Sequence, residues 1–165
     1  GCPFLLEQKE WLAELTARRK LPDYRADAVV PDTKLQGWNY IEDSCDINSL
    51  MDYFGGFHDS VIREIHYESG DYMEGGTMYL SPSCAKKLRM VFDSSWANSI
   101  EIVFESVRLL RLVPPGENYL GDLFNASIFI DNLEVYFYDE YLKERPKSHD
   151  GTWVKALGMR WRVIV

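Results

Sequence analysis

The stretch KLRMVFDSSWANSIEIVFE, residues 87–105, decides the fold. Leu88, Met90 and Phe92 alternate with Lys87, Arg89 and Asp93, and after six residues that are polar or small except for Trp96, Ile100, Ile102 and Phe104 alternate with Glu101 and Glu105. Alternation with period two puts every second side chain on one face of a strand. Two such runs joined by a short polar link predict an antiparallel hairpin. Setting Phe92 opposite Ile100 aligns Met90 with Ile102 and Leu88 with Phe104, and the same register sets Lys87 opposite Glu105 with Arg89 diagonal to both glutamates. One face is then oily and the other is a ladder of opposite charges. A slip of one residue would destroy both patterns, so the register is specified. Trp96 falls at the tip of the connection, either folded back onto the sheet or offered to a partner.

Working outward, the same period marks Val61–Tyr67, Thr77–Ser81, Lys87–Asp93, Ile100–Val113, Ala126–Ile130, Leu133–Tyr138 and Trp153–Val165 as strands, separated by clusters of Gly, Pro, Asn and Ser. Seven strands in succession predict a meander, strongly curved or barrel-like. In the last of them Trp161, Val163 and Val165 share one face, and Arg160, Arg162 and Ile164 the other. Ahead of the strands, Phe4–Lys20 lacks Gly and Pro and sets Leu5, Leu12 and Leu15 near one face, which predicts an amphipathic helix ended by Pro22. Residues 21–36 read as an ordered loop. A second, short helix is expected to start at Asp46 as N-cap, run through Tyr53 and stop at Gly55-Gly56. The expected architecture is one α+β domain over residues 1–165, with a helical region at 4–54 and an antiparallel sheet at 57–165.

Composition supports a globular chain. Of 165 residues, 46% are hydrophobic, 27% charged and 14% aromatic, the last being high and typical of strand-rich proteins. A chain of this length buries roughly 70% of its unfolded surface, so it needs no staple. The most apolar run, Ile100–Val113, is interrupted by Glu101, Glu105, Arg108 and Arg111, so no uninterrupted span of roughly 18 to 20 apolar residues exists for crossing a membrane. No charged-then-apolar leader is present; Gly1 reads as a tag remnant, and Cys2 beside it as a candidate trimmed lipoprotein anchor. Cys2, Cys45 and Cys84 are an odd number without C-x-x-C spacing, which argues against a disulfide framework or zinc knuckle and for a reducing cytoplasm. Cys45 lies among Glu42, Asp43 and Asp46, a poor setting for a thiolate, whereas Cys84 lies near Lys86 and Lys87. Both read as inert.

The net charge of −8 is unevenly placed. Between Leu35 and Ala85 the acids are Glu42, Asp43, Asp46, Asp52, Asp59, Glu64, Glu68, Asp71 and Glu74, against the single base Arg63, so the whole net charge sits in this stretch. Such a chain is unsuited to nucleic-acid phosphates, whose binding needs clustered Lys and Arg. The acids read either as a solvated surface that keeps the protein soluble or as a docking face for a basic partner. Tyr40, Tyr53, Tyr67, Tyr72 and Tyr79 occupy the same stretch, and tyrosine combines rigid contact area with a hydrogen-bonding tip. With Trp96, the tyrosines 40, 53 and 72 are the candidate aromatic contacts.

Catalytic signatures are sparse. Phe57-His58-Asp59-Ser60 carries the adjacent His and Asp seen in metal-dependent phosphohydrolases, but a straight strand would separate His58 from His66 by roughly 26 Å and point His58 and Asp59 to opposite faces. Asp59 is therefore expected to accept backbone hydrogen bonds, with Phe57 in the core. Glu101 and Glu105, four residues apart on a strand, lie roughly 13 Å from each other, too far for paired acid and base work. Asp43, Asp46 and Asn48 hint at a calcium loop, yet Leu50 stands where an oxygen ligand is needed and the turn glycine is missing. No phosphate-binding loop, dinucleotide fingerprint, nucleophile elbow or H-E-x-x-H occurs. No metal and no cofactor is expected.

The segment F-H-D-S-V-I-R-E-I, residues 57–65, resembles the opening strand of small bacterial families of uncharacterised and immunity proteins from toxin and immunity systems. The resemblance implies a non-catalytic inhibitor that neutralises a cognate toxin by binding it, and brings no catalytic residue with it; the acidic stretch adds that such a partner would be basic. The first functional expectation is accordingly a cytoplasmic protein-binding domain acting through its acidic, tyrosine-rich face. The second is a small-molecule-binding or enzymatic barrel with a pocket at His58, Asp59 and His66. The third is a structural subunit that oligomerises through an exposed edge strand.

Overall fold

A computed structural model describes residues 34–117 and 120–165; the helix expected at 4–20, Cys2 and most of the loop at 21–36 lie outside the described residues. Among the described residues ten strands and one α-helix follow in the order β1 (Asn39–Tyr40), α1 (Ser44–Phe54), β2 (Ser60–Glu68), β3 (Tyr72–Glu74), β4 (Thr77–Tyr79), β5 (Lys87–Ser94), β6 (Ile100–Arg111), β7 (Asp122–Leu123), β8 (Ser127–Asp131), β9 (Glu134–Tyr138) and β10 (Trp153–Val163). The sheet is antiparallel and curls into a half-barrel.

The hairpin register holds pair for pair: Phe92 faces Ile100, Met90 faces Ile102, Leu88 faces Phe104 and Lys87 faces Glu105. The strand order is not a meander. Along the sheet it runs β7-β2-β5-β6-β10-β9-β8, so the last strand inserts between β6 and β9 in place of the β6–β7–β8 succession expected from chain order. β10 pairs with β6 over nearly its whole length, while its other side meets β9 at Trp153–Ala156 and β1 at Arg160–Trp161. Periodicity marks strands but carries no information on which strand inserts where. The region expected to be helical, 4–54, contributes one two-residue strand to this sheet, β1, paired with β10.

The helix begins at Ser44, and its N-cap is Asp43 rather than Asp46. Asp46 stands three residues further on and completes a capping box: its amide donates to Asp43 Oδ1 at 2.9 Å, and Asp43 N donates back to Asp46 Oδ2 at 3.2 Å. Ile47, Leu50, Met51 and Phe54, spaced for one helical face, press onto the concave side of the sheet. There Phe54, Phe57, Phe92, Phe104 and Phe137, all fully buried, meet ring to ring at centroid distances of 5.0–6.5 Å, mostly edge to face. A single 3-10 turn, Gly55–Phe57, follows the helix.

Tyr72–Glu74 is a strand that alternation did not mark, and the expected run from Thr77 stops at Tyr79. The two form a separate ribbon around Gly75 and Gly76, both at positive φ as a two-residue hairpin turn requires. The final strand ends at Val163.

The charged side of the sheet is more than a solvated ladder. Glu101 is only 5% exposed and takes Arg89 Nε at 2.8 Å and Arg162 Nε at 2.9 Å, while the Trp38 ring lies within 4.3 Å of Arg162 and 4.7 Å of Arg160. Val91 and Val103 are buried on the same side.

Candidate functional site

The Phe57-His58-Asp59-Ser60 segment is the turn that carries the chain from α1 into β2. The helix ends at Gly55 (φ 58°), and Gly56 (66°), Phe57 (67°) and Asp59 (55°) are also left-handed. Non-glycine residues in that region cost about 1–2 kcal/mol each. The cost is met by hydrogen bonding: each carbonyl from Gly55 to Asp59 has a donor, respectively His58 N, Ala126 N, Ser60 Oγ, Trp96 Nε1 and Ser95 N, at 2.7–3.2 Å. The donors come from three parts of the chain, so the turn is fixed from several directions. Phe57 points into the core as expected.

The left-handed turn also changes where the other side chains go. Asp59 precedes the strand, so strand alternation does not apply to it, and His58 and Asp59 share a side instead of facing apart: Nδ1 and Oδ2 are 3.0 Å from each other. The His58 ring meets Phe124 edge-on at 5.9 Å. Trp96, from the β5–β6 connection, folds back over Gly55 and remains 52% exposed; Phe124 is 76% exposed. Trp96 donates to the His58 carbonyl, Phe124 meets the His58 ring and the Asp59 carboxylate pairs with that ring, so two open aromatic rings and a carboxylate all adjoin His58.

His66 is not part of it. It lies well along β2, opposite Arg89, with Nε2 3.4 Å from Glu68. Among the described residues no group of three or more His, Cys, Asp or Glu side chains is placed to hold a metal ion. An open depression of about 480 Å³ exists elsewhere, lined by Ile41, Glu105, Leu133 and Leu157 among others, and neither His58, Asp59 nor His66 lines it.

The nine acids disperse in space. Glu42 pairs with Lys34 at 2.6 Å, Asp43 and Asp46 cap the helix, and Glu64 contacts Arg63 and Arg89 at 3.7 and 3.6 Å. Asp71 accepts from Ser81 N at 2.6 Å and pairs with Lys86 at 3.4 Å; the backbone donor and the lysine together hold its carboxyl below the ordinary range, against a smaller opposing push from desolvation. Asp52 and Glu74 are exposed. Asp59 and Glu68 sit at opposite ends of the nine-residue β2, so the sequence-local excess is spread over both ends of the sheet. The tyrosines are engaged: Tyr40 OH takes Leu35 N at 3.0 Å, Tyr53 packs on Trp161 at 5.5 Å, and Tyr72 stacks on Tyr79 at 4.6 Å.

Two features escaped sequence reading. Phe124 follows a two-residue strand too short to show alternation. His149, 8% exposed at its side chain, binds Asp139 at 2.7 Å and packs edge-on to Tyr138, closing the β9–β10 connection on itself. Ten residues separate that pair, with no periodic element between them to signal the contact.

Comparison of the chain with protein-family models, with curated proteins and with solved structures finds no match.

Proposed function

We propose that this chain is a non-catalytic protein-binding domain of the immunity-inhibitor type, and that it docks a basic partner at the turn end of the sheet. The observation that carries the reading is the pinned turn, with exposed Trp96 and Phe124 both in contact with His58, which pairs with Asp59. Exposed aromatic anchors on a rigid support are suited to carrying binding energy, and a carboxylate on the same surface as two open rings suits a lysine or arginine side chain, which gains from both cation–π contact and charge pairing. Asp52 and Asp122 add negative potential that speeds encounter with a cationic surface. The filled phenylalanine core favours a surface function over an internal pocket.

The test is capture of the native partner from the source organism by the wild-type chain, by D59K, and by W96A/F124A, with E68K/E74K at the other end of the sheet as the comparison. The first two changes are expected to reduce capture at least tenfold, as for typical hot-spot losses above about 1.4 kcal/mol, and the third to leave it largely intact. Capture unaffected by D59K and W96A/F124A would overturn the docking site.

A further inference from the structure

The chain has five methionines, at positions 51, 73, 78, 90 and 159, and the fold treats them unequally. Met90 and Met159 are 0% and 2% exposed, and Met51 packs from α1 against the core. Met73 and Met78 are 62% and 64% exposed. They are direct partners across the β3–β4 ribbon, so their side chains share one face, and Tyr72 and Tyr79 stack at 4.6 Å on the other. Groups other than the two thioethers hold this ribbon in shape. They are the Gly75-Gly76 turn, the stacked tyrosines and, at the base, Asp71, which accepts from Ser81 N at 2.6 Å and pairs with Lys86 at 3.4 Å.

A thioether reacts with hydroperoxides, and access decides its rate, because a sealed sulfur is reached only when the structure opens locally. In the reaction a sulfur lone pair takes the terminal oxygen of the hydroperoxide. An S–O bond forms, the O–O bond breaks, and the departing oxygen picks up a proton to leave as water or an alcohol. Sulfur is oxidised by two electrons and the peroxide is reduced by two. Inside the core the resulting sulfoxide would disrupt packing; on the open face of the ribbon its oxygen is left in water. We infer that Met73 and Met78 form a modification site, oxidised together and reversibly to sulfoxides by hydroperoxides, while the other three methionines are spared and the sheet stays folded. The change converts an apolar pair into two polar acceptors on one face, and both sulfurs stand open to the reductases that reverse it. The site shares no residue with Trp96, Phe124 and Asp59, so its fate is independent of the partner-docking reading.

Treatment with dilute hydrogen peroxide, followed over time by peptide mass spectrometry, tests the assignment. Met73 and Met78 should each gain one oxygen, at least about tenfold faster than Met90 and Met159 and ahead of Met51. In the urea-unfolded chain all five should react at similar rates, because the fold sets the order. The doubly oxidised protein should melt within about 3 °C of the untreated one, and reductases for both sulfoxide epimers should return it to its starting mass. M73L/M78L should take up no oxygen over the same interval. Oxidation of Met51, Met90 or Met159 as fast as the ribbon pair, oxidation confined to one of the pair, a larger fall in melting temperature, a mass that the reductases do not restore, or uptake by M73L/M78L equal to wild type each overturns the proposal.

Discussion

Glu101 is the residue on which the outward face of the sheet depends. Its carboxylate is nearly sealed, and desolvation by itself would raise its pKa; the hydrogen bonds and charges of Arg89 and Arg162 outweigh that and hold it below the ordinary glutamate value near 4.5. A carboxyl whose folded pKa is depressed contributes stability that is complete above its unfolded value and is lost as pH falls through the folded one. E101Q keeps the shape but removes the charge, leaving two guanidinium groups without their shared partner at a cost of about 1–3 kcal/mol near neutral pH. Urea denaturation of both proteins between pH 7 and pH 3 should show the gap constant down to about pH 4.5 and narrowing below it. A gap that stays constant through the acid range would mean that Glu101 gains nothing from its arginines in the folded state.

At the level of elements, the helix end and the β5–β6 connection are coupled through Gly55 and Trp96. A Cβ on Gly55 would stand 1.9 Å from Trp96 Cζ2 at a backbone φ of 58°. Gly55→Ala should therefore cost about 2–4 kcal/mol, the sum of left-handed strain and overpacking. In a Trp96→Ala background only the strain of about 1–2 kcal/mol should remain. Chemical denaturation of the four proteins gives the coupling directly, and additivity of the two changes would refute the contact. This junction shows where sequence reading stops. The Leu88–Phe104 hairpin was legible because two local alternations and a charge pattern all demand one register, and the stop at Gly55-Gly56 followed from backbone preference. The contact between Gly55 and Trp96 links residues 41 positions apart, and no local period encodes it. The shared side of His58 and Asp59 was missed for a related reason: strand alternation was extended two residues too early, into a left-handed turn held by its own hydrogen bonds and by those of two distant segments. The β3–β4 ribbon did leave a signal, two glycines between matched Tyr-Met and Met-Tyr pairs, which the turn rules recognise.

On the scale of the whole molecule, the insertion of β10 decides what must be present for the sheet to exist. Local patterns placed seven of the ten described strands to within a few residues and missed β1, β3 and β7, but the order could not follow from them, since parity and polarity are the same for a strand that extends a meander and one that closes it from within. Among the described residues β10 is the only strand that pairs with both β6 and the β9–β8 hairpin. Without it the sheet divides into a four-stranded piece and a hairpin, and Phe104 and Phe137 lose the surface that joins them. Ala156 marks the middle of this seam: it is fully buried and paired on both sides, with Val107 of β6 and Val135 of β9. Proline there deletes a donor and forces ring atoms into a central strand, where it is essentially never tolerated; the loss of about 3 kcal/mol or more is a large share of the 5–15 kcal/mol that holds a typical domain together. Ala156→Pro should accordingly abolish the cooperative urea transition and the near-ultraviolet circular dichroism of the packed aromatic core. A variant that still unfolds in one sharp transition at the wild-type midpoint would show that the two halves of the sheet hold together without β10 between them.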